Sequence, residues 1–284
     1  MDDNSTWILL QIVPQLQRVL TTTVYRKNLA QLLSQKDGVG GVRLESLSSP
    51  HALTWVDEPG FSKPLARDEF KCALKWSLGI PLRSESYVCE ECGGEGDNMG
   101  LHTVSCLRSG EIGRGHSALK AAMEMLLNKA GCNVRIEEPI LSNDGSKFMD
   151  ILATGLYPTP TAIDVTVINT VRASAFNASN NSVLNGLLDE AAEVKNRKYK
   201  ELCAVKGWTF VPAVCDAFGA MRSNTRMLVK KIIKKVETKV EAEERPLIGR
   251  KVWGTLTTAI VSRAAKQLAQ VEHKLTLIIR HASP

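Results

Sequence analysis

Aromatic residues are scarce in this chain: phenylalanine, tyrosine and tryptophan make up 5% of its 284 residues. That argues against single-strand binding on stacked aromatic platforms. Long apolar runs are also lacking. No stretch approaches the ~20 apolar residues of a membrane span, so no membrane partner is expected. The start, Met-Asp-Asp-Asn, carries no basic residue, and the first apolar run, Trp7 to Val13, is interrupted by Gln11 and ended by Pro14. It lacks the basic start and cleavage pattern of a secretory signal. Seven cysteines are an odd count, three of them clustered with a histidine and four scattered. This fits a reduced compartment and a metal better than a disulfide framework. The expected location is intracellular, in the nucleus if the source is eukaryotic.

What is present is ordinary globular composition, 44% hydrophobic and 23% charged, enough for one large domain or a core with appendages. Lysine and arginine number 36 against 30 acids, a formal charge of +6. So small an excess matters less than where it is placed. Residues 5–35 read as helical with a break near Pro14, and residues 37–65, rich in Gly, Ser and Pro, as loop or linker. Asp68 to Leu78 reads as a short helix ended by Gly79 and Pro81. From His116 the pattern becomes regular. His116–Ala130 is an amphipathic helix closed by Gly131, and Cys132–Glu138 alternates like a strand. Strands follow over Lys147–Ala153 and Thr161–Ile168, then an Asn- and Ser-rich loop over 172–185. A helix over Gly186–Lys206, a strand over Trp208–Cys215 and helices over 223–242 and 250–275 complete the chain. The order from residue 116 is α-β-β-β-α-β, an α/β class, and no internal repeat is found.

The cysteine cluster reads C-x2-C-x9-H-x3-C: Cys89, Cys92, His102 and Cys106. Cys-x-x-Cys puts two thiolates on one turn, Gly93 and Gly94 permit the bend, and the later pair completes a tetrahedron, as structural zinc requires. Four ligands leave no open position, so this Zn²⁺ would organise structure. Binding energies of roughly 10–16 kcal/mol in isolated peptides can fold a segment with little core of its own. The competing readings are chance clustering of thiols and a redox pair, the latter without a thioredoxin-like surrounding.

Asp150 and Asp164 are the most informative pair. Each carboxylate sits in an apolar run that reads as a buried strand, with thirteen residues between them. A buried acid costs several kcal/mol unless paired or metal-bound. Strand periodicity aligns Ile136 with Glu138, Phe148 with Asp150 and Leu152, and Ala162 with Asp164 and Thr166. Ile163, Val165 and Val167 point the other way, into a core. Glu138, Asp150 and Asp164 then converge if the strands are neighbours. Such oxygen ligands suit Mg²⁺ or Mn²⁺, and the chemistry expected is metal-assisted phosphodiester hydrolysis. A strand-end Asp paired with a base, and an acid before proline in the case of Glu138, are the plainer readings. Thr166, and not lysine, shares the face with Asp164. The next helix offers a substitute. Lys195 falls inside the apolar stripe formed by Leu188, Ala191, Ala192, Tyr199 and Leu202, with Lys198 at its edge. A lysine there needs a carboxylate partner or a catalytic role, unless it snorkels.

Asp-x13-Asp followed by Lys195-x-x-Lys198-Tyr199 resembles the restriction-like endonuclease of site-specific non-LTR retrotransposons. That is a branch of the PD-(D/E)XK superfamily in which the lysine has moved to a helix. The stretch from Asp68 to Pro81, the C-C-H-C knuckle upstream, Gly113-Arg114-Gly115-His116 at the first helix, and Phe210 to Gly219 are similar to family elements in the same order. The resemblance covers roughly residues 65–270. The departures are Met149 where the family has proline, and Gly115 between Arg114 and His116. The resemblance implies a restriction-endonuclease-like core, DNA as substrate with RNA possible, and strand nicking. Catalytic roles would fall to Asp150, Asp164, Lys195, Lys198, Glu138 and His116, with Mg²⁺ on Asp150 and Asp164. A reverse transcriptase is the implied partner in cis or trans, since no such core fits in this chain.

Four regions are expected on this reading. Residues 1–65 form a helical extension and linker, and 66–110 a helix plus zinc knuckle. Residues 111–220 form the mixed-sheet core, and 221–284 a basic helical extension. In the last, Arg222, Arg226, Lys230 and Lys234 step every four residues beside Lys231 and Lys235, with no acid from 222 to 236. With Arg114 they make a candidate phosphate-tracking surface, or else the solvated face of a packed helix. The helix after it reads as structural, through Trp253, Leu256, Ile260 and Leu268. The first expectation is a metal-dependent DNA endonuclease. The alternatives are a catalytically inactive, nuclease-derived module that binds nucleic acid, and a zinc-stabilised scaffold for protein partners.

Overall fold

The computed structural model describes residues 38–106, 108, 111–140, 148–171 and 183–282, with backbone alone for 111–115 and 275–282. The helix read over 5–35 and residues 172–182 of the expected loop lie outside this range. Seven helices are described: α1 (Gly38–Leu47), α2 (Arg67–Leu78), α3 (Leu101–Ser105), α4 (Glu111–Lys129), α5 (Val183–Val205), α6 (Ser223–Glu237) and α7 (Arg245–Ala282). Two short strands, β1 (Tyr87–Val88) and β2 (Glu95–Gly96), make a hairpin. β3 (Asn133–Pro139), β4 (Phe148–Thr154), β5 (Thr161–Ile168) and β6 (Thr209–Asp216) form one sheet in that order. β3, β4 and β5 pair antiparallel, and β6 joins β5 in parallel through the α5 crossover. The expected order of helix, three strands, helix and strand is therefore present in a mixed sheet. No helix among the described residues is long and apolar enough to cross a membrane.

The alternation of β5 decides the layers. Ile163 and Val165 face one side with Ile151, Ala153, Ala213 and Cys215. There they meet Leu119, Met123, Leu126 and Leu127 of α4, Leu228, Val229 and Ile232 of α6, and Val252, Leu256 and Ile260 of α7. Leu126 and Leu127 are fully buried, which contributes roughly 1.5–3 kcal/mol each. The other side is covered by α5, through Tyr199 and Cys203 over Met149, Leu152 and Ala162, and through Leu184, Leu188 and Ala192 over Val214. β4 departs from the expected alternation. Met149 joins Leu152 on the α5 side, although strict alternation would put it with Ile151.

Residues 38–65 are only in part the loop that their composition predicts. α1 occupies 38–47, a single 3-10 turn follows at Thr54–Val56, and Val42, Ala52 and Trp55 are buried. The glycines serve close approach. A Cβ on Gly60 would lie 2.1 Å from the Lys251 carbonyl oxygen, and one on Gly254 would lie 2.0 Å from the Glu58 carbonyl oxygen. The segment and α7 thus pack backbone against backbone. α7 itself begins at Arg245, so Pro246 and Gly249 lie within its start and do not separate it from α6. Proline is tolerated there because the first-turn N–H groups have no intrahelical acceptor.

α7 also reaches a second core. Leu268 and Ala264 pack with Val42, Cys72, Trp76, Leu82, Val104, Val171, Ala217 and Phe218. All four expected regions contribute to this cluster. Its anchor at the end of β6 is Asp216, fully buried. The Phe218 and Ala220 N–H groups donate to Oδ1 (3.0 and 2.8 Å), and the Thr170 hydroxyl donates to Oδ2 (3.2 Å). Burial pushes this carboxyl up to about 6 in spite of those donors.

Candidate functional site

The two informative aspartates occupy neighbouring positions on β4 and β5. The last paired residues are Ile151 and Ile163, and one more step of that register sets Asp150 opposite Asp164. The ladder stops here because a side chain takes over: the Val165 N–H donates to Asp150 Oδ2 at 2.7 Å. His116 on α4 bonds the same oxygen through Nε2 at 3.0 Å. Asp164 belongs to the α5 side. Lys195 Nζ lies 2.9 Å from Asp164 Oδ2, and the Thr166 hydroxyl donates to that oxygen at 3.2 Å. The lysine in the apolar stripe therefore has its carboxylate partner. Thr166, two residues along the strand, fastens the same carboxylate.

The pair is electrostatically split. Burial works to raise Asp150, but the His116 bond and the Val165 N–H outweigh it and hold the carboxyl below its ordinary range. The same bond raises His116 above the usual imidazole value. Burial pushes Asp164 above its ordinary range, against the Lys195 contact, and the charge of Asp150 adds to the push. Two neighbouring carboxylates repel when both are ionised, and a divalent cation removes that cost. Hard cations take carboxylate oxygens, the donors that Asp150 and Asp164 offer here.

Three other expected residues are placed as follows. Glu138 stands opposite Met149 and is held by Arg135 at 2.9 Å. The position facing Asp150 belongs to Glu137, between the pairs Ile136–Ile151 and Glu138–Met149. Lys198 is exposed, with its ammonium 4.7 Å from the centre of the Tyr199 ring. Arg114 lies among residues whose side chains are not described.

The cysteine cluster closes as the spacing predicts. The ligand atoms of Cys89, Cys92, His102 and Cys106 all lie within 4.8 Å of one another. Cys89 and Cys106 sulfurs are 3.9 Å apart, and Cys92 Sγ is 3.3 Å from His102 Nε2. A tetrahedral site with Zn–S bonds of about 2.3 Å has an edge of about 3.8 Å, so this donor set fits zinc. The turn is built locally. The Gly93 N–H donates to the Cys89 carbonyl, and the Cys89 N–H to the Gly94 carbonyl, both at 2.8 Å, with Gly93 at φ 72°. The Gly94 N–H points at Cys92 Sγ and lowers that thiol towards the thiolate a metal takes. Asp97 accepts from the N–H groups of Met99, Leu101 and His102 (2.9, 3.0 and 2.6 Å). It thereby starts α3 and aims His102. The knuckle is docked on the body through Leu82 and Val104 in the second core and through Asn169, which donates to Ser105 Oγ at 2.7 Å.

The basic helix α6 buries Val229, Ile232, Ile233 and Val236 as its periodicity predicts. It lies on the sheet face opposite α5. Arg222 is engaged with α5: its Nε is 2.6 Å from Asp189 and its Nη2 3.9 Å from Glu193. Arg226 donates to the Met221 carbonyl. Lys230, Lys231 and Lys234 remain exposed, with Lys231 5.5 Å from the Tyr157 ring centre. Arg222 and Arg226 are thus engaged within the protein, and Lys230, Lys231 and Lys234 remain on its surface.

No family model and no curated protein sequence matches this chain. Sequence periodicity missed Glu137 and its partner Lys120, because Glu137 lies on the exposed face of β3 and Lys120 comes from a separate helix.

Proposed function

We propose that this chain is a metal-dependent DNA endonuclease with a restriction-like core, and that Asp150, Asp164 and Lys195 form its catalytic centre. One observation carries the reading. Lys195 is drawn from the apolar face of α5 onto Asp164 at 2.9 Å, at the step where β4 and β5 stop pairing and Asp150 neighbours Asp164. Two acids and a lysine so grouped are the parts a hydrolytic phosphodiesterase needs. A divalent ion, when bound, supplies polarisation of the phosphodiester and activation of water.

The protein groups act around it. Asp150 and Asp164 would hold the cation, and Thr166 fixes the orientation of Asp164. Lys195 orients the attacking water or stabilises charge developing on the phosphate. His116 holds Asp150 in position, and Lys198 stands on the exposed side of the same helix as a phosphate contact. Zinc on the knuckle is structural or positions DNA. The retroelement resemblance supports a reverse transcriptase as partner and an intracellular setting, the nucleus if the source is eukaryotic.

The test is cleavage of labelled duplex, bubble and branched DNA with Mg²⁺ or Mn²⁺. Metal-dependent cutting is expected. Tight, salt-sensitive binding without cutting under any metal would replace the proposal with an inactive, nuclease-derived binding module.

A further inference from the structure

Glu137 occupies the β3 position opposite Asp150, with a left-handed backbone at φ 52°. A non-glycine residue seldom takes that conformation in a strand. Its side chain is 55% exposed, and its Oε1 contacts Nζ of Lys120, which is only 17% exposed. Lys120 follows His116 by four residues on α4, so the two share a face. His116 bonds Asp150. The enclosed stem of Lys120 therefore delivers an ammonium to the edge of the acidic centre. Its charge acts on both Asp150 and His116.

This cation has no part in the hydrolysis proposed above, on which the inference rests. It stands beside a site that would receive a polyanion, and it is tethered by an exposed carboxylate on a strained backbone. We propose that Lys120 grips a backbone phosphate of duplex DNA next to the acidic centre. Glu137 holds Lys120 in the unbound protein and is displaced by that phosphate. The pair thus works as a latch that favours a phosphate over an uncharged occupant.

The experiment measures binding of a short labelled duplex by the full chain across a salt series, with no divalent metal added. Lys120→Ala is expected to weaken binding and to reduce the salt slope by about 0.9, the loss of one phosphate contact. Lys120→Arg is expected to keep the slope. Glu137→Gln removes the competing charge and is expected to tighten binding severalfold. Thermal melts confirm that each variant is folded, and the glutamine variant keeps the test alive if the alanine variant is not.

Unchanged affinity and slope in folded Lys120→Ala would overturn the proposal. So would weaker binding by Glu137→Gln, or wild-type binding that ignores salt. Cleavage is not needed for this readout. A Lys120 binding defect in a wild type that cuts nothing would sustain the grip and sink the nuclease. Cutting that is lost with Asp164 while Lys120→Ala binds normally would do the reverse.

Discussion

Lys195 and Asp164 come from different layers of the fold and meet at 2.9 Å, with the lysine side chain 27% exposed and the aspartate 5%. The carboxylate is the more deeply buried partner, so it loses more when the contact is broken. Removing one member of a buried pair costs roughly 3–5 kcal/mol, and exposure of Lys195 discounts this to about 1–3 kcal/mol. Lys195→Met is expected to lower stability by that amount, and Asp164→Asn made on top of it to recover part. A double-mutant cycle by urea unfolding reads the coupling, and additive effects would mean that the two side chains do not interact in solution.

The cysteine cluster predicts metal content. One zinc per chain is expected in wild type and none in Cys92→Ser, by elemental analysis. Chelation should cost several kcal/mol of stability, since binding to zinc-finger peptides supplies roughly 10–16 kcal/mol. Full stability and unchanged melting after complete zinc removal would contradict a structural role.

Asp216 makes stability depend on pH. Its folded value of about 6 lies above the ordinary 3.8, so folding favours the protonated acid. The contribution is fully present below the ordinary value and is lost as pH rises through about 6. The span corresponds to on the order of 3 kcal/mol. Between pH 4 and pH 7 wild type is expected to lose stability relative to Asp216→Asn, by urea titration at each pH. Parallel profiles for the two proteins would show that Asp216 does not titrate in that window.

Gly254 sets two effects against each other. Alanine is the better helix former by about 1 kcal/mol, but a Cβ there would meet the Glu58 carbonyl oxygen at 2.0 Å. Forcing backbone apart costs typically 1–3 kcal/mol, so Gly254→Ala is expected to destabilise. A higher melting temperature would show that residues 58–60 do not rest on α7 in solution.

Much of the centre was legible in the sequence because periodicity acts locally. The apolar neighbours of Asp164 on β5 fixed the face of the acid, and the stripe on α5 showed that Lys195 had to find a partner. The spacing from Cys89 to Cys106 predicted a closed donor set. What escaped detection depends on contacts between distant segments. Residues 38–56 look like a linker until α2 and α7 are beside them, because the few residues that anchor them, Val42, Ala52 and Trp55, are scattered among glycines and serines. Arg222 reads as a free cation until α5 brings Asp189 to it. Glu137 was overlooked in favour of Glu138 because it lies on the exposed face of β3, and only the register with β4 sets it opposite Asp150.

The most direct measurement is the single-turnover cleavage rate of labelled DNA in Mn²⁺ by wild type and by Asp164→Asn, with zinc content and melting checked for both. The account predicts metal-dependent cutting by wild type and a loss of at least about a hundredfold, as for removal of a group that stabilises the transition state, in a variant that stays folded. Cutting by folded Asp164→Asn at the wild-type rate would contradict it.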